Sequence, residues 1–234
     1  MILPTTPMKA ASPGHADRQN GWFGYAGHLT GLLMVALVAG QGTGLAEPPA
    51  PTQLPTGEQV VGGAATISRQ QATMTINQST SRAAIDWQTF DIGSQAHVNI
   101  RQPSTDSVLF NRIQGNNPSQ IFGGLTANGQ VYLSNPSGFY FAPSASVNVG
   151  GLVATTHQLS LDEFMAGRDH FSRNGSTGHI LNEGHLKAAL GGYIALLAPE
   201  VRNHGVIMAE LGTVALAAGE AYELRFDPAR RLEG

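Results

Sequence analysis

The sequence predicts an all-β chain wound as a right-handed, single-stranded parallel β-helix of about 21 residues per coil, with an N-terminal β cap and a short helical insertion. Three observations carry that reading. Short runs with apolar residues at every second position follow one another after residue 56. Gly, Asn, Ser and Pro punctuate them. Whole segments then recur at offsets of 20 or 21 residues.

Composition agrees. Of 234 residues, 13 are Lys or Arg and 16 are Asp or Glu, a formal charge of −3. Charged residues make up 12% of the chain, about half the usual share of roughly 25%, and glycine, at 29 residues, is well above its ordinary ~7%. A β-helix explains both, because its strands bury a face and its turns favour Asn, Ser, Thr and Gly over Lys and Glu. So few basic residues argue against a phosphate-tracking nucleic-acid binder. The lack of cysteine excludes a disulfide framework, a thiolate metal site and a thiol nucleophile.

Residues 1–46 read as a cleaved secretory signal. Lys9 and Arg18 lie in a polar stretch, and an apolar run follows at 29–40. That run is shorter than the about 20 residues a helix needs to cross ~30 Å of hydrocarbon, and it suits the apolar core of a signal peptide. Gly44-Leu45-Ala46 places small residues three and one positions before a cut after Ala46. Pro48, Pro49 and Pro51 then set an extended, proline-rich N-terminus over 47–56. No later segment has the length and apolarity of a membrane span, so the mature chain is expected to carry no transmembrane segment.

The β-helix is expected over 57–226, with 227–234 as a tail or truncation point. TMTIN at 73–77, HVNIR at 97–101, QVYLS at 130–134, SVNVG at 146–150 and LGTVALA at 211–217 read as strands. Asn128-Gly129, Asn135-Pro136, Ser137-Gly138 and Asn174-Gly175 read as turns, where left-handed backbone is cheap for Asn and Gly. SLDE at 160–163 is a capping-box pattern opening a helix of about a turn and a half, closed by Gly167.

Register comes from the repeats. Asn182 and Asn203, Gly184 and Gly205, Leu186 and Ile207, and Ala188 and Ala209 are each 21 apart. GYIALLA at 192–198 matches GTVALAA at 212–218 at an offset of 20. GQVYLSNP at 129–136 matches GYIALLAP at 192–199 at an offset of 63, which reads as three coils. The mature length then gives roughly nine coils and a rod about 40 Å long at the ~4.8 Å strand spacing. A leucine-rich repeat has a similar period, but its Leu-x-x-Leu-x-Leu pattern is missing; a two-layer β-sandwich is the alternative architecture.

Several of these segments carry a resemblance. They are NQSTSRAAIDWQTFDIG at 77–93, with Trp87, Phe90 and Gly93; NRIQGNNPSQIFG at 111–123; ANGQVYLSNPSGFYF at 127–141, with Asn128 and Gly129; and VNVGGLVATT at 147–156. With the Asn-Glu-Gly of 182–184, they resemble the two-partner secretion (haemagglutination activity) domain that begins filamentous-haemagglutinin-like exoproteins, over roughly residues 56–226. The family hallmark is Asn-Pro-Asn-Gly followed by Ile or Val. Here it reads Asn135-Pro136-Ser137-Gly138-Phe139, departing at Ser137 and Phe139; a second family motif, Asn-Pro-Asn-Leu, is absent. Ser137 can still cap a β-turn and Gly138 can still take positive φ.

The resemblance implies export of an unfolded chain through the periplasm. It implies recognition by an outer-membrane β-barrel transporter with periplasmic, POTRA-type domains, then folding as a secreted or surface-held adhesin. A host-cell glycan or protein receptor is the implied external partner. Amphipathic runs such as 73–77 and 97–101 suit strand addition to an exposed sheet edge in the transporter. Asn135, Pro136, Ser137, Gly138 and Phe139, with Arg112, are the expected secretion motif. A plainer role for them is a turn required for folding. Trp87, Phe90, Gly93, Asn128, Gly129, Asn182, Gly184, Asn203 and Gly205 are expected as core and turn positions.

No hydrolase, zinc-protease or phosphate-loop motif is present. The chain is expected to be a monomer without catalysis, cofactor or metal. His179, His185 and His204 fall near one another in the repeat, but His185 aligns with Val206 rather than a second ligand. Asp86 and Asp91 read as cap and turn residues rather than a glycosidase pair. Phe139-Tyr140-Phe141 reads as core closure more than as a sugar-stacking surface. The competing functions are an extracellular β-helical polysaccharide-cleaving enzyme, and a haem-capture or cytolytic exoprotein exported by the same route.

Overall fold

Strands that bury one face alternate, and strands that bury both do not; this decides where each part of the chain lies. The computed structural model describes residues 47–226 and Leu232. The expected leader, with its cut after Ala46, and most of the expected tail lie outside the described residues.

Chain order follows rung order. β1 (Gln59–Gly62) and β2 (Ala65–Gln70) pair antiparallel with the first rung and form the expected cap. That rung holds β3 (Thr73–Gln78) and β4 (Arg82–Trp87). The second holds β5 (His97–Arg101), β6 (Val108–Ile113) and β7 (Ser119–Ile121). The third holds β8 (Gly124–Ala127), β9 (Gln130–Ser134) and β10 (Gly138–Phe141). The fourth starts with β11 (Ser146–Val149) and β12 (Gly151–Thr155). It is then interrupted by the insertion, α1 (Leu161–Met165) and β13 (His170–Ser172), before β14 (His179–Asn182) completes it. The fifth holds β15 (His185–Ala188), β16 (Tyr193–Leu197) and β17 (Val201–Asn203). The sixth holds β18 (Val206–Ala209) and β19 (Thr213–Ala217). β20 (Ala221–Glu223) then pairs antiparallel with β13.

Three parallel faces result. The first runs β18-β15-β11-β8-β5-β3, the second β4-β6-β9-β12-β16-β19 and the third β17-β14-β10-β7, with β2 and β1 capping the first two. The chain is thus a parallel β-solenoid of six rungs, about seven turns with the cap layer counted, rather than the roughly nine expected from length. The difference is chain spent outside the stack, in the cap and the insertion.

Repeat register holds where no insertion intervenes. Asn182 pairs with Asn203, Leu186 with Ile207, Ala188 with Ala209, and Ile194 with Val214. The offset of 63 is corrected. Val131 pairs with Leu152, and Leu152 with Ile194, so 63 residues span two rungs plus an insertion as long as one coil.

Inside the stack, Ile76, Ile85, Trp87, Phe90, Val98, Leu125, Leu133, Phe141, Val147, Leu186 and Leu196 form one continuous core. β3, β5, β11 and β15 alternate, because the first face meets solvent outside. β9, β12 and β16 are buried at every position. The insertion and β20 lie over the second face and make a second apolar cluster there, with Phe110, Tyr132, Tyr193, Phe164 and Phe171. This is why GYIALLA is an unbroken apolar run.

The helix forms where expected. Ser160 Oγ accepts from the Glu163 backbone N–H at 3.2 Å, and Gly167 closes it with φ +78°. Most rung-corner glycines serve differently from expectation. Among the turn glycines, only some, such as Gly138 (φ +111°) and Gly175 (φ +79°), are left-handed; Gly129, Gly184 and Gly205 are not. They are glycine because turns one rung apart leave no room: a Cβ on Gly205 would strike the Gly184 carbonyl, and one on Gly184 would come within 2.7 Å of the Ala142 carbonyl.

Candidate functional site

The expected motif is the turn between β9 and β10. Asn135 is fully buried. Its Oδ1 accepts from the Ser137 backbone N–H at 2.9 Å, and its backbone carbonyl accepts from the Gly138 N–H at 2.9 Å, so an Asx turn and a β-turn coincide. Asn135 Nδ2 donates to the Asn117 carbonyl and to Ser119 Oγ, both at 3.0 Å, on the rung before. On the rung after, Ser176 Oγ donates to the Pro136 carbonyl at 2.7 Å. The turn therefore ties three rungs together.

The other members divide between core and surface. Phe139 is 2% exposed and stacks in the core on Phe141, centroids 6.0 Å apart. Pro136 and Ser137 are half-buried, and Ser137 contributes its backbone N–H. The two departures from the hallmark thus leave the turn intact. Serine suffices where only the backbone bonds, and phenylalanine fills an inward position that Ile or Val would fill. Tyr140 alone of the three aromatic residues faces outward. It meets Phe122 edge-on at 5.7 Å and donates to Glu183 Oε2 at 2.7 Å; burial and that carboxylate push its hydroxyl up to about 12.

Arg112 lies beside this turn, its strand position paired with Ser134. Its guanidinium forms a two-pronged ion pair with Asp86 on the rung below, Nε to Oδ1 at 2.6 Å and Nη2 to Oδ2 at 2.8 Å. Asp86 is therefore an ion-pair partner rather than a cap. Asp91 does cap, accepting from the Gln120 backbone N–H at 2.8 Å; burial raises its carboxyl above the usual range. Arg112 and Pro136 both line a cleft of about 360 Å³ under the insertion, with Gln114, Ser134, Glu163 and His170.

The remaining expected positions are structural in their contacts. Trp87 Nε1 donates to buried Asn111 Oδ1 at 3.0 Å, and its ring meets Phe90 edge-on at 5.4 Å. Gly93 packs against the Ala50 and Pro51 carbonyls. Asn128 pairs with the Gln102 backbone in both directions, at 2.8 and 2.9 Å, and the Gly129 N–H donates to Gln102 Oε1 at 2.9 Å. Asn182 Nδ2 donates to Asn203 Oδ1 at 2.7 Å, one rung of an asparagine ladder, and the Gly184 N–H donates to Asn182 Oδ1 at 3.1 Å. His185 pairs with Val206 as the repeat predicted.

One arrangement has no counterpart in the sequence reading. Arg82 Nη2 lies 2.7 Å from Asp169 Oδ1, and Tyr132 OH donates to Asp169 Oδ2 at 3.0 Å. Tyr193 OH, in turn, donates to Gln130 Oε1 at 2.8 Å. Burial pushes the Tyr132 hydroxyl well above its ordinary value. Arg82 and Asp169 are 87 residues apart, so no local pattern announces the pair.

This geometry is that of a stacked β-solenoid with the Asn135 turn built into its core. The sequence model of the TPS secretion domain matches residues 52–231. The chain belongs to the TPS, or two-partner secretion, domain family. Two heme/hemopexin-binding proteins of Haemophilus influenzae are related to this secretion domain. One, from strain Rd, is 41% identical over 173 residues, covering 71% of this chain and 19% of that protein. The other is 38% identical over 157 residues, covering 67% and 17%. The chain thus spans under a fifth of the length of these curated relatives. Among solved structures, the HMW1 secretion domain from Haemophilus influenzae superimposes with a TM-score of 0.70 at 31% identity, over 73% of this chain and 46% of that one. The filamentous hemagglutinin secretion domain gives 0.56 at 17% identity, over 77% and 68%, a likeness of fold. Among the described residues, no helix is long and apolar enough to cross a membrane.

Proposed function

We propose that this secretion domain directs the export of an exoprotein. A leader ending at Ala46 takes the chain to the periplasm. There an outer-membrane β-barrel with periplasmic, POTRA-type domains reads it unfolded, and it folds outside. The observation that carries this is the burial of Asn135, Gly138 and Phe139 within a family-matched turn: in the folded domain, no partner reaches those side chains. Any reading of those three residues by a transporter therefore precedes folding. Extended 73–77 and 97–101 offer alternating side chains for strand addition at that stage. The turn and Arg112 then serve secretion by stacking the rungs, and folding beyond the membrane biases transport outward.

The test compares two variants of matched stability. Asn135→Ala removes three side-chain hydrogen bonds and leaves the Asn117 carbonyl and the Ser119 hydroxyl unpaired, an expected loss of about 2–4 kcal/mol in urea unfolding. Leu152→Ala, fully buried in the core, is expected to lose about the same. Secretion is measured with and without the cognate barrel. We expect barrel dependence, and equal secretion losses for the two variants. A far greater loss for Asn135→Ala assigns the motif a direct transporter contact instead.

Two readings serve for the whole exoprotein. Adhesion accords with the resemblance of residues 56–226 to filamentous-haemagglutinin-like exoproteins. Capture of haem or its carrier accords with the relatives at 41% and 38% identity, and sequence identity at that level favours it. Binding of the secreted full-length protein to haemopexin, against its binding to epithelial cells and erythrocytes, separates them. Neither reading invokes catalysis.

A further inference from the structure

Two buried polar atoms without hydrogen-bond partners belong to rings that meet at the seam between the insertion and β20. Four side-chain atoms among the described residues are buried without a hydrogen bond: Arg82 Nε, Thr156 Oγ1, His157 Nδ1 and Tyr222 OH. His157 and Tyr222 face each other across this seam, ring centroids 5.0 Å apart. His157 is fully buried at the start of the insertion. Its Nε2 lies 2.9 Å from the Gly219 carbonyl, so Nε2 carries the proton and Nδ1 is bare.

We propose that His157 is a proton-sensitive clasp, whose protonation frees β20 from the insertion while the rungs of the solenoid stay stacked. Protonation would place a second N–H on Nδ1, where no acceptor is in reach, and a cation in a buried seam. The groups facing the seam do not offset this. Arg173 repels an imidazolium. Glu220 attracts it, but is held by Arg173 at 2.6 Å and is largely exposed. His170 and Glu223 pair across β13 and β20, and Tyr222 is neutral. Burial lowers the His157 pKa below its ordinary 6.5. The sign follows: the unfolded ring binds the proton more readily, so the clasp is intact above about pH 6.5 and weakens as pH falls from there toward the lowered folded value.

What holds β20 otherwise is modest. It pairs through three residues with β13, is flanked by the Arg173 N–H to Glu220 carbonyl and Leu224 N–H to Asp169 carbonyl bonds and the exposed Arg173–Glu220 ion pair, and packs the partly buried Tyr222, Leu224 and Phe226 against the outer cluster. The rungs rest on the separate inner core. Local release is therefore available without global unfolding.

The test is amide hydrogen exchange on the full 234-residue chain at pH 7.5, 6.0 and 5.0, corrected for intrinsic exchange. We expect residues 170–173 and 219–224 to lose at least tenfold protection across that range while β9, β12 and β16 keep theirs. His157→Gln keeps a donor for the Gly219 carbonyl without a titrating ring and should abolish the change; His170→Gln should not. Loss of protection that persists in His157→Gln, or that vanishes in His170→Gln, overturns the proposal. So does constant protection in the parent chain. Should His157→Gln fail to fold, the ring's own titration by NMR decides: a pKa below 6.5 that coincides with the exchange transition supports the clasp, and one at or above 6.5 sinks it.

Discussion

Gly138→Val is expected to destabilise the domain by about 3–5 kcal/mol, a large part of the roughly 5–15 kcal/mol that holds a typical domain folded. Two effects act together. Gly138 has φ +111°, a region that a β-branched residue enters only at a cost of about 1–3 kcal/mol. Its Cβ would also run into the His179 carbonyl on the next rung, with the His179 backbone nitrogen 3.1 Å away. β10 and β14 pair there residue for residue, so the strands must part to admit any side chain. Urea unfolding followed by Trp87 fluorescence measures the loss. Ser137→Asn, which restores the family residue at a position bonding through its backbone, is expected to change stability by under ~0.5 kcal/mol. A Gly138→Val unfolding free energy within 1 kcal/mol of the parent would show that the turn has slack the geometry denies.

How much of this fold was legible depends on which forces leave a local trace. Alternation did: β5 and β11 bury every second residue because one side meets the core and the other water. Stacking did as well, since identical positions on adjacent rungs share one environment, and Asn182 and Asn203 keep 21-residue spacing because their side chains bond. The capping box at Ser160 is local chemistry and was equally readable. Turn count was not. An insertion about one coil long mimics a rung in the arithmetic, so the 63-residue match counted three where two exist. The glycines misled for a related reason. A sequence shows that a residue must be small, but not whether dihedral angle or a neighbouring backbone demands it.

The site was legible as a place and illegible as a set of contacts. Asn135-Pro136-Ser137-Gly138 announces a turn on composition alone. That Asn135 reaches back to Asn117 and Ser119, while Ser176 reaches in to Pro136, depends on rungs that stack only in three dimensions. Arg112 was singled out beside the turn, yet its guanidinium is engaged with Asp86 on the second face's outer side. Asp86 is 26 residues away, a rung of unusual length that the 21-residue period would have missed. His157 and Asp169 left no trace at all, because both act through an insertion that obeys no repeat.

Asp169→Asn is expected to cost about 3–5 kcal/mol, and the loss should fall on unfolding kinetics. Asp169 is 2% exposed at its side chain and Arg82 15%, so removing the carboxylate strands a guanidinium over the Phe164 ring, whose centroid lies 4.1 Å from it. Removing one partner of a buried pair carries a penalty of that size, whereas replacing both with apolar residues of similar volume is often neutral. The double variant Arg82→Met with Asp169→Leu is therefore expected to recover most of the loss. The kinetic expectation follows from where the partners sit. Arg82 is on the first rung, Tyr132 on the third, Tyr193 beside it on the fifth, and Asp169 in the insertion between the fourth rung's strands. The network closes only after those rungs have stacked, because repeat folds grow by nearest-neighbour contact. Interactions that form after the transition state change the unfolding rate and leave the folding rate nearly untouched. Stopped-flow refolding and unfolding of Asp169→Asn should show that division. A folding rate slowed by as much as unfolding is accelerated would place insertion docking inside the nucleus, and would make the outer cluster, rather than the stack, the part that folds first.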